Sequence, residues 1–253
     1  MRIAIKFAYD GKDFFGYARQ PNLRTVEGEI INILIKHGLI KDTKKSYFRS
    51  ASRTDKGVSA TCNVISFTTD SFDMKHLREL SDEFSDIILY GFTQVDTDFN
   101  PRYAKHRRYT YYLHLLKDVN VEKIISASNI FTGEHDFSNF ARVENHKNPI
   151  RQIDNIIFST TNDFLVIEFY AQTFLWQQIR RIVFALEKIG TGKLDEKQVK
   201  NALDNPDINV NFGMAPAKPL ILSEIVYDFD FEYDKYLFNK TKKLERKIVS
   251  SLL

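Results

Sequence analysis

Residues 2–9 set apolar Ile3, Ile5 and Phe7 against Arg2, Ala4 and Lys6, the alternation of a half-buried strand. Asp10 and Gly11 then suit a turn, and the loop that follows interleaves Phe14, Phe15 and Tyr17 with Gly16, Arg19 and Gln20. Beyond it the period lengthens. Val26, Ile30, Ile33 and Leu34 share one face of a helix, with Thr25 placed to cap its start and Gly38 to end it. Residues 45–50 and 61–68 read as strands, the second through Val64, Ile65 and Phe67. Asp73 opens another helix, on which Met74, Leu77, Leu80 and Phe84 recur, and residues 87–95 return to strand. Strand, helix, strand, strand, helix, strand is the order of a ferredoxin-like unit, one helical layer on a mainly antiparallel sheet.

The second half runs through a similar order without a close sequence repeat. Residues 99–103 make an irregular crossing, and a strand starts from Lys105, His106, Arg107 and Arg108. Along that strand Tyr109, Tyr111, Leu113 and Leu115 point one way, and Arg108, Thr110, Tyr112 and His114 the other. A helix is expected over 121–130 and a hairpin over 151–160 and 164–171, turning at Asn162 and Asp163. A long helix over 174–189 buries Leu175, Ile179, Ile182, Val183 and Leu186, with Arg180 at the edge of the stripe. A short helix over 194–203 and a strand over 220–227 complete the expectation.

Composition narrows the class. A chain of 253 residues with 43% hydrophobic content can bury a substantial core. Lys and Arg number 36 against 33 acids, and a net charge of +3 does not by itself mark a nucleic-acid binder. The densest basic cluster is 105–108, whereas the run over 240–247 reads as the solvated face of a terminal helix. A single cysteine, Cys62, excludes an internal disulfide and a thiolate metal cage, and suits a reducing compartment. No apolar run approaches the roughly 18 residues of a membrane span, and the start of the chain lacks a signal-peptide core. A soluble, cytoplasmic protein is expected. The six histidines have no metal-ligand spacing, and Gly190-Thr191-Gly192-Lys193 lacks the spacing of a phosphate loop.

The stretch 49–60, RSASRTDKGVSA, holds the most pointed chemistry. Asp55 lies between Arg53 and Lys56, whose charges favour the carboxylate, and Gly57 permits a sharp turn and close approach of a ligand. The same residues also compose an ordinary turn whose Asp bonds its own backbone. The aromatic loop at 10–20 can stack on bases, or be pinned to the core by Phe14 and Phe15. Basic groups followed by rings at 105–112 fit an everted nucleotide, although strand tyrosines commonly pack and stripe-edge arginines commonly snorkel.

Read whole, RTDKGVSA resembles the signature of the TruA-type tRNA pseudouridine synthase family, in which the Asp is catalytic. YDGKDFFGYARQ, FNPRYAKHRRYTYYL, HDFSNF, QTFLWQQIRRIV and PLILSEIVYD resemble its other landmarks, in the same order and over nearly the whole chain. The resemblance implies an α+β fold of two ferredoxin-like (RRM-like) halves, 1–103 and 104–253. They would be joined into one mainly antiparallel mixed sheet with helices on one face and the active cleft between them. It makes Asp55 the catalytic carboxylate, places Tyr109 against the target uracil, and pairs Arg180 with Asp55. Arg53 would assist or replace the extruded base, and Arg102, Arg107 and Arg108 would hold the RNA backbone. Leu220 or Leu222 would wall the uracil pocket, and Tyr17 and Arg19 would contribute from the first loop. The resemblance further implies tRNA as the partner, target uridines at about positions 38 to 40 of the anticodon arm, and a homodimer; no membrane association is expected.

Pseudouridine formation exchanges an N-glycosidic bond for a carbon one, so it needs no redox cofactor, nucleotide or metal. It needs an ionised carboxylate, to attack covalently or to take a proton. Ser59 stands where the bacterial pattern has His, Tyr17 and Ala18 where it has Trp-Gln, and Trp176 with Gln177 where it has a His pair. These departures resemble archaeal or eukaryotic members, some of which modify other tRNA positions. The rivals are a silent RNA-binding module and another base-everting enzyme such as a methyltransferase, which would require a donor site that no glycine-rich strand-to-helix turn supplies.

Overall fold

The alternating segment at the start of the chain becomes β1 (Arg2–Tyr9), and it is buried on both faces rather than one. Ile3, Ile5 and Phe7 have no exposure, and neither do Ala4 and Ala8 on the other side. The buried Arg2 guanidinium donates to the Phe99 and Tyr47 carbonyls and to Ser66 Oγ, which compensates its removal from water. The structure, a computed structural model, describes residues 1–115, 119–145, 147–161 and 163–253. It divides into two compact units, Met1–Lys105 with Ile221–Leu253, and His106–Leu220.

In the first unit α1 (Val26–Lys36) starts where Thr25 Oγ1 accepts the Gly28 amide, as the cap predicts. The strand expected over 45–50 shrinks to β2 (Arg49–Ser50). Asp42 Oδ1 accepts the amides of Lys44 and Lys45, and Tyr47 sits at φ +49°, so a side-chain-closed turn replaces the ladder. β3 (Ser59–Thr68), α2 (Met74–Asp82), capped by Asp73, and β4 (Ile87–Val95) follow as expected. β1 lies between β3 and β4, antiparallel to both.

The second unit comprises β5 (His106–His114), α3 (Val121–Ser128), β6 (Gly133–Asp136), β7 (Ile150–Ile153), β8 (Asn155–Thr160), β9 (Phe164–Ala171), α4 (Gln178–Gly190) and α5 (Glu196–Asp204). β9 pairs antiparallel with β5 on one side and β8 on the other. The single strand expected over 151–160 breaks at Asp154, because β7 leaves to form a ribbon with β6, a strand the sequence pattern did not reveal. Asn162 of the expected hairpin turn lies outside the described residues; of those described, Thr161 N donates to Phe164 O and Phe164 N donates to Thr161 Oγ1. α4 begins four residues later than its apolar period implies. Gln177 takes φ +64°, and Gln178 Oε1 accepts the Leu175 amide. The predicted stripe is buried nonetheless, including Leu175 outside the helix.

The chain then returns to the first unit. β10 (Leu220–Val226) pairs parallel with β3, Ile221 opposite Ser59 and Leu222 opposite Ala60, which makes that sheet mixed. β11 (Glu232–Tyr233) adds to β4, and α6 (Lys235–Ser250) packs Leu237 and Leu244 against Ala8, Ile88 and Tyr90. Residues 221–253 therefore sit with the first unit, whereas the division at 103/104 assigns them to the second. A strand pattern announces a strand without naming its partner. No helix among the described residues is long and apolar enough to cross a membrane.

Asp234 fixes the start of α6. Its side chain accepts the Leu237 amide at 2.9 Å and Arg78 Nε at 2.6 Å, and it is 4% exposed. The Leu237 amide, and then the Arg78 guanidinium, hold its carboxyl below the usual carboxylate range. Stability from this group is present above the unfolded pKa, about 3.9, and is lost as pH falls through the lower folded value. Asp234→Ala should lower the unfolding free energy at neutral pH by about 1–2 kcal/mol and flatten its decline in acid. Urea melts from pH 7 to pH 3 check this, and an unchanged acid limb would contradict it.

Candidate active site

Two loops of the first unit are fitted into each other. A Cβ on Gly11 would lie 2.2 Å from the Val58 carbonyl oxygen and 3.1 Å from the Gly57 carbonyl carbon, so backbone meets backbone there without a side chain between. Gly16 lies close by at φ +93°, a backbone conformation that favours glycine, where an added Cβ would come within 3.3 Å of the Lys56 amide and 3.4 Å of the Thr54 carbonyl oxygen. Hydrogen bonds tie the same surfaces. Tyr17 N donates to Thr54 O at 3.1 Å, Gly11 N donates to Ser59 Oγ at 2.9 Å, and the Tyr9 hydroxyl bonds Thr54 Oγ1 at 2.8 Å. Val58 N closes a turn onto Asp55 O at 3.1 Å, with Gly57 at φ +84°. Half-buried Asp55 thus sits between two residues whose backbones are clamped.

Behind the turn, Asn63, fully buried, donates to the Ser52 carbonyl. The Tyr17 hydroxyl donates to Ser50 Oγ, which donates to Glu27 Oε1. Tyr17 corrects its expected role. It has no exposure, it packs among Phe7 and Tyr9, and burial pushes its phenol well above its ordinary pKa, so it supports the Asp55 turn rather than meeting substrate. Arg53 is exposed, Arg19 is exposed with its guanidinium 3.7 Å from Glu27, and the Lys56 ammonium lies 4.1 Å over the Phe15 ring. Leu222 is fully enclosed opposite Ala60, so it does not supply an open wall; Leu220 keeps 6% exposure. Arg102 is exposed in the turn after β4.

In the second unit, Tyr109 stands opposite Phe169 on β9 and edge-on to Phe174, with ring centres 5.4 Å apart. Arg108 pairs with Glu168 at 2.9 Å. Arg107 differs from its expected role on the RNA backbone: it is buried, and its guanidinium donates to the Gln172 carbonyl at the end of β9. Arg180, half-buried on α4, donates from Nε to Ala215 O at 2.9 Å while Ala215 N donates back to Arg180 O. The Tyr111 hydroxyl donates to the adjacent Pro216 carbonyl, so the 215–216 segment ties α4 to β5, the strand of Tyr109. The residues that sequence reading passed over are those that hold Asp55 in place: Tyr9, Thr54 and Asn63, and Ser59 beyond its departure from pattern. Their only sequence signal was the Asp10-Gly11 turn and a serine where the family pattern has His.

A family model described as tRNA pseudouridine synthase matches residues 127–228. tRNA pseudouridine synthase A of Thermococcus sibiricus is 42% identical over 250 residues, covering 97% of this chain and 93% of that protein. The chain belongs to the tRNA pseudouridine synthase A family. The protein of the same name from Pyrococcus abyssi is 41% identical over 246 residues, covering 96% and 91% of the two chains. That from Methanosphaera stadtmanae is 36% identical over 254 residues, covering 97% and 92%. In this member of the family, Ser59 has a definite local use, holding the Gly11 amide and with it the loop beside Asp55. Among the described residues no group of three or more His, Cys, Asp or Glu is placed to hold a metal ion.

The Gly11 contact gives a direct test. Gly11→Ala must displace the backbone at 57–58, and should destabilise the protein by about 2 kcal/mol or more, the scale of overpacking a filled site. Thermal unfolding measures it, and a melting temperature equal to that of the parent chain would contradict the interlocked loops.

Proposed function

We propose that this chain isomerises uridine to pseudouridine in the anticodon arm of tRNA, at one or more of positions 38, 39 and 40, with Asp55 as the reacting carboxylate. The observation that carries the reading is the seat of Asp55, on a turn whose flanking backbone is pinned from both sides. A catalytic group gains most when its geometry is set before substrate arrives. In the reaction the N1–C1′ bond breaks and the C5–C1′ bond forms, while the C5 proton leaves and N1 regains a proton. Nothing is oxidised and no group is gained, so no co-reactant is required.

Asp55 attacks the nucleotide or takes the C5 proton. Tyr109 lies against the uracil, Arg180 supplies the charge that keeps Asp55 ionised once water is expelled, and Arg53 assists the extruded base. Arg102 and Arg19, both exposed, are placed to contact phosphates, and Arg108 joins them if it is released from Glu168. Leu220 rather than Leu222 is the candidate wall. The active form in this reading is a cytoplasmic homodimer.

Asp55→Ala and Asp55→Asn should slow pseudouridine formation by at least about 10³-fold, within the range of a lost acid–base or nucleophilic group. Both should retain tRNA binding, because removing a negative charge beside a polyanion does not weaken attraction. Single-turnover assays on transcribed tRNA, with a parallel binding titration, make the measurement. Undiminished turnover in either variant would falsify the assignment.

A further inference from the structure

α6 concentrates charge as no other element does. It carries Lys235, Lys240, Lys242, Lys243, Arg246 and Lys247 against the single acid Glu245, a net +5 where the whole chain nets +3. Its apolar side, with Leu237, Leu244 and Ile248, is turned into the first unit, and Lys235, Lys242, Lys243, Arg246 and Lys247 are exposed. At 100° per residue, Lys242, Lys235, Arg246, Lys243, Lys247 and Lys240 fall in one continuous stripe, with Glu245 beyond its edge. None of the six makes an ion pair among the described residues.

A helix face that is merely solvated mixes signs, as two others in this protein do. Lys75 pairs with Glu79 on α2, and Lys200 with Asp204 on α5, each at a spacing of four. On α6 the same spacing is filled by rings: Lys240 lies 4.7 Å over Tyr236, and Lys242 lies 5.1 Å over Phe238. It also holds two like-charged pairs, Lys242 with Arg246 and Lys243 with Lys247, which destabilise a helix by a few tenths of a kcal/mol each. The macrodipole accounts for cations in the last turn but not for Lys235 in the first. A polyanion laid along the stripe would relieve that repulsion.

We propose that the exposed face of α6 is a docking surface for the RNA backbone of the tRNA substrate, its cations meeting phosphates and Tyr236, 68% exposed, offering a ring to an unpaired base. This rests on the tRNA reading above and extends its contacts beyond the Asp55 turn. An anionic membrane is the weaker fit, because the apolar side of the helix is already occupied by its packing against Ala8, Ile88 and Tyr90.

The test is a full-length variant combining Lys235→Gln, Lys242→Gln, Lys243→Gln and Arg246→Gln. Glutamine matches lysine in helix propensity, so the variant should fold and melt at or above the parent temperature. Its affinity for transcribed tRNA, measured from 50 to 300 mM salt, should fall at least tenfold at the lower end, and the slope of log affinity against log salt should flatten by about 3. The charge-preserving set Lys235→Arg, Lys242→Arg, Lys243→Arg and Arg246→Lys should bind as the parent does. A glutamine variant with parental affinity and slope would overturn this surface and leave the Asp55 reading intact. Loss of binding to anionic phospholipid vesicles with tRNA binding intact would also overturn it. A parent chain that does not bind tRNA would sink both.

Discussion

The contact on which the site depends is one between two stretches of main chain with no side chain between them. Gly11 lies where a single added carbon would strike the Val58 carbonyl, and Gly16 approaches the neighbouring Lys56 and Thr54 backbone. Close approach of this kind fixes position far better than a layer of flexible side chains. Three hydrogen bonds between segments distant in sequence reinforce it: the Tyr17 amide and the Tyr9 hydroxyl bond Thr54, and the Ser59 hydroxyl accepts the Gly11 amide. The carboxylate of Asp55 inherits its direction from the turn it sits on, which is how a loop residue acquires the definition usually reserved for strands and helices.

Cations in this protein divide by what surrounds them. Arg2 and Arg107 are buried and hold backbone carbonyls, and Arg108 is neutralised by Glu168; these are structural ties between strands and loops. Arg53, Arg102, Arg19 and the α6 stripe face water. A basic cluster in sequence, such as 105–108, is therefore a poor guide to where charge is displayed, because strand alternation sends neighbouring residues to opposite faces.

The same distinction governs what was legible beforehand. Periodicity located β1, α1, β4 and β9, since each combines an unbroken pattern with a cap or turn at its end. It failed where local side-chain bonds compete with the ladder, as Asp42 does at 44–45, and where a continuous run changes partner, as at Asp154. It overextended α4, because Leu175 is buried without being helical. The return of β10 and α6 to the first unit is a long-range fact that no local window contains. Within the site, composition marked the Asp55 turn but left the first loop open between stacking on bases and packing on the core, because rings in a loop look alike in either use; Tyr17 packs against Phe7 and Tyr9.

The most direct measurement is made with the chain alone and an unmodified tRNA transcript, with chelator present and nothing else added, followed by mapping of pseudouridine along the RNA. The account predicts conversion at one or more of positions 38, 39 and 40. No pseudouridine anywhere in the transcript would contradict it.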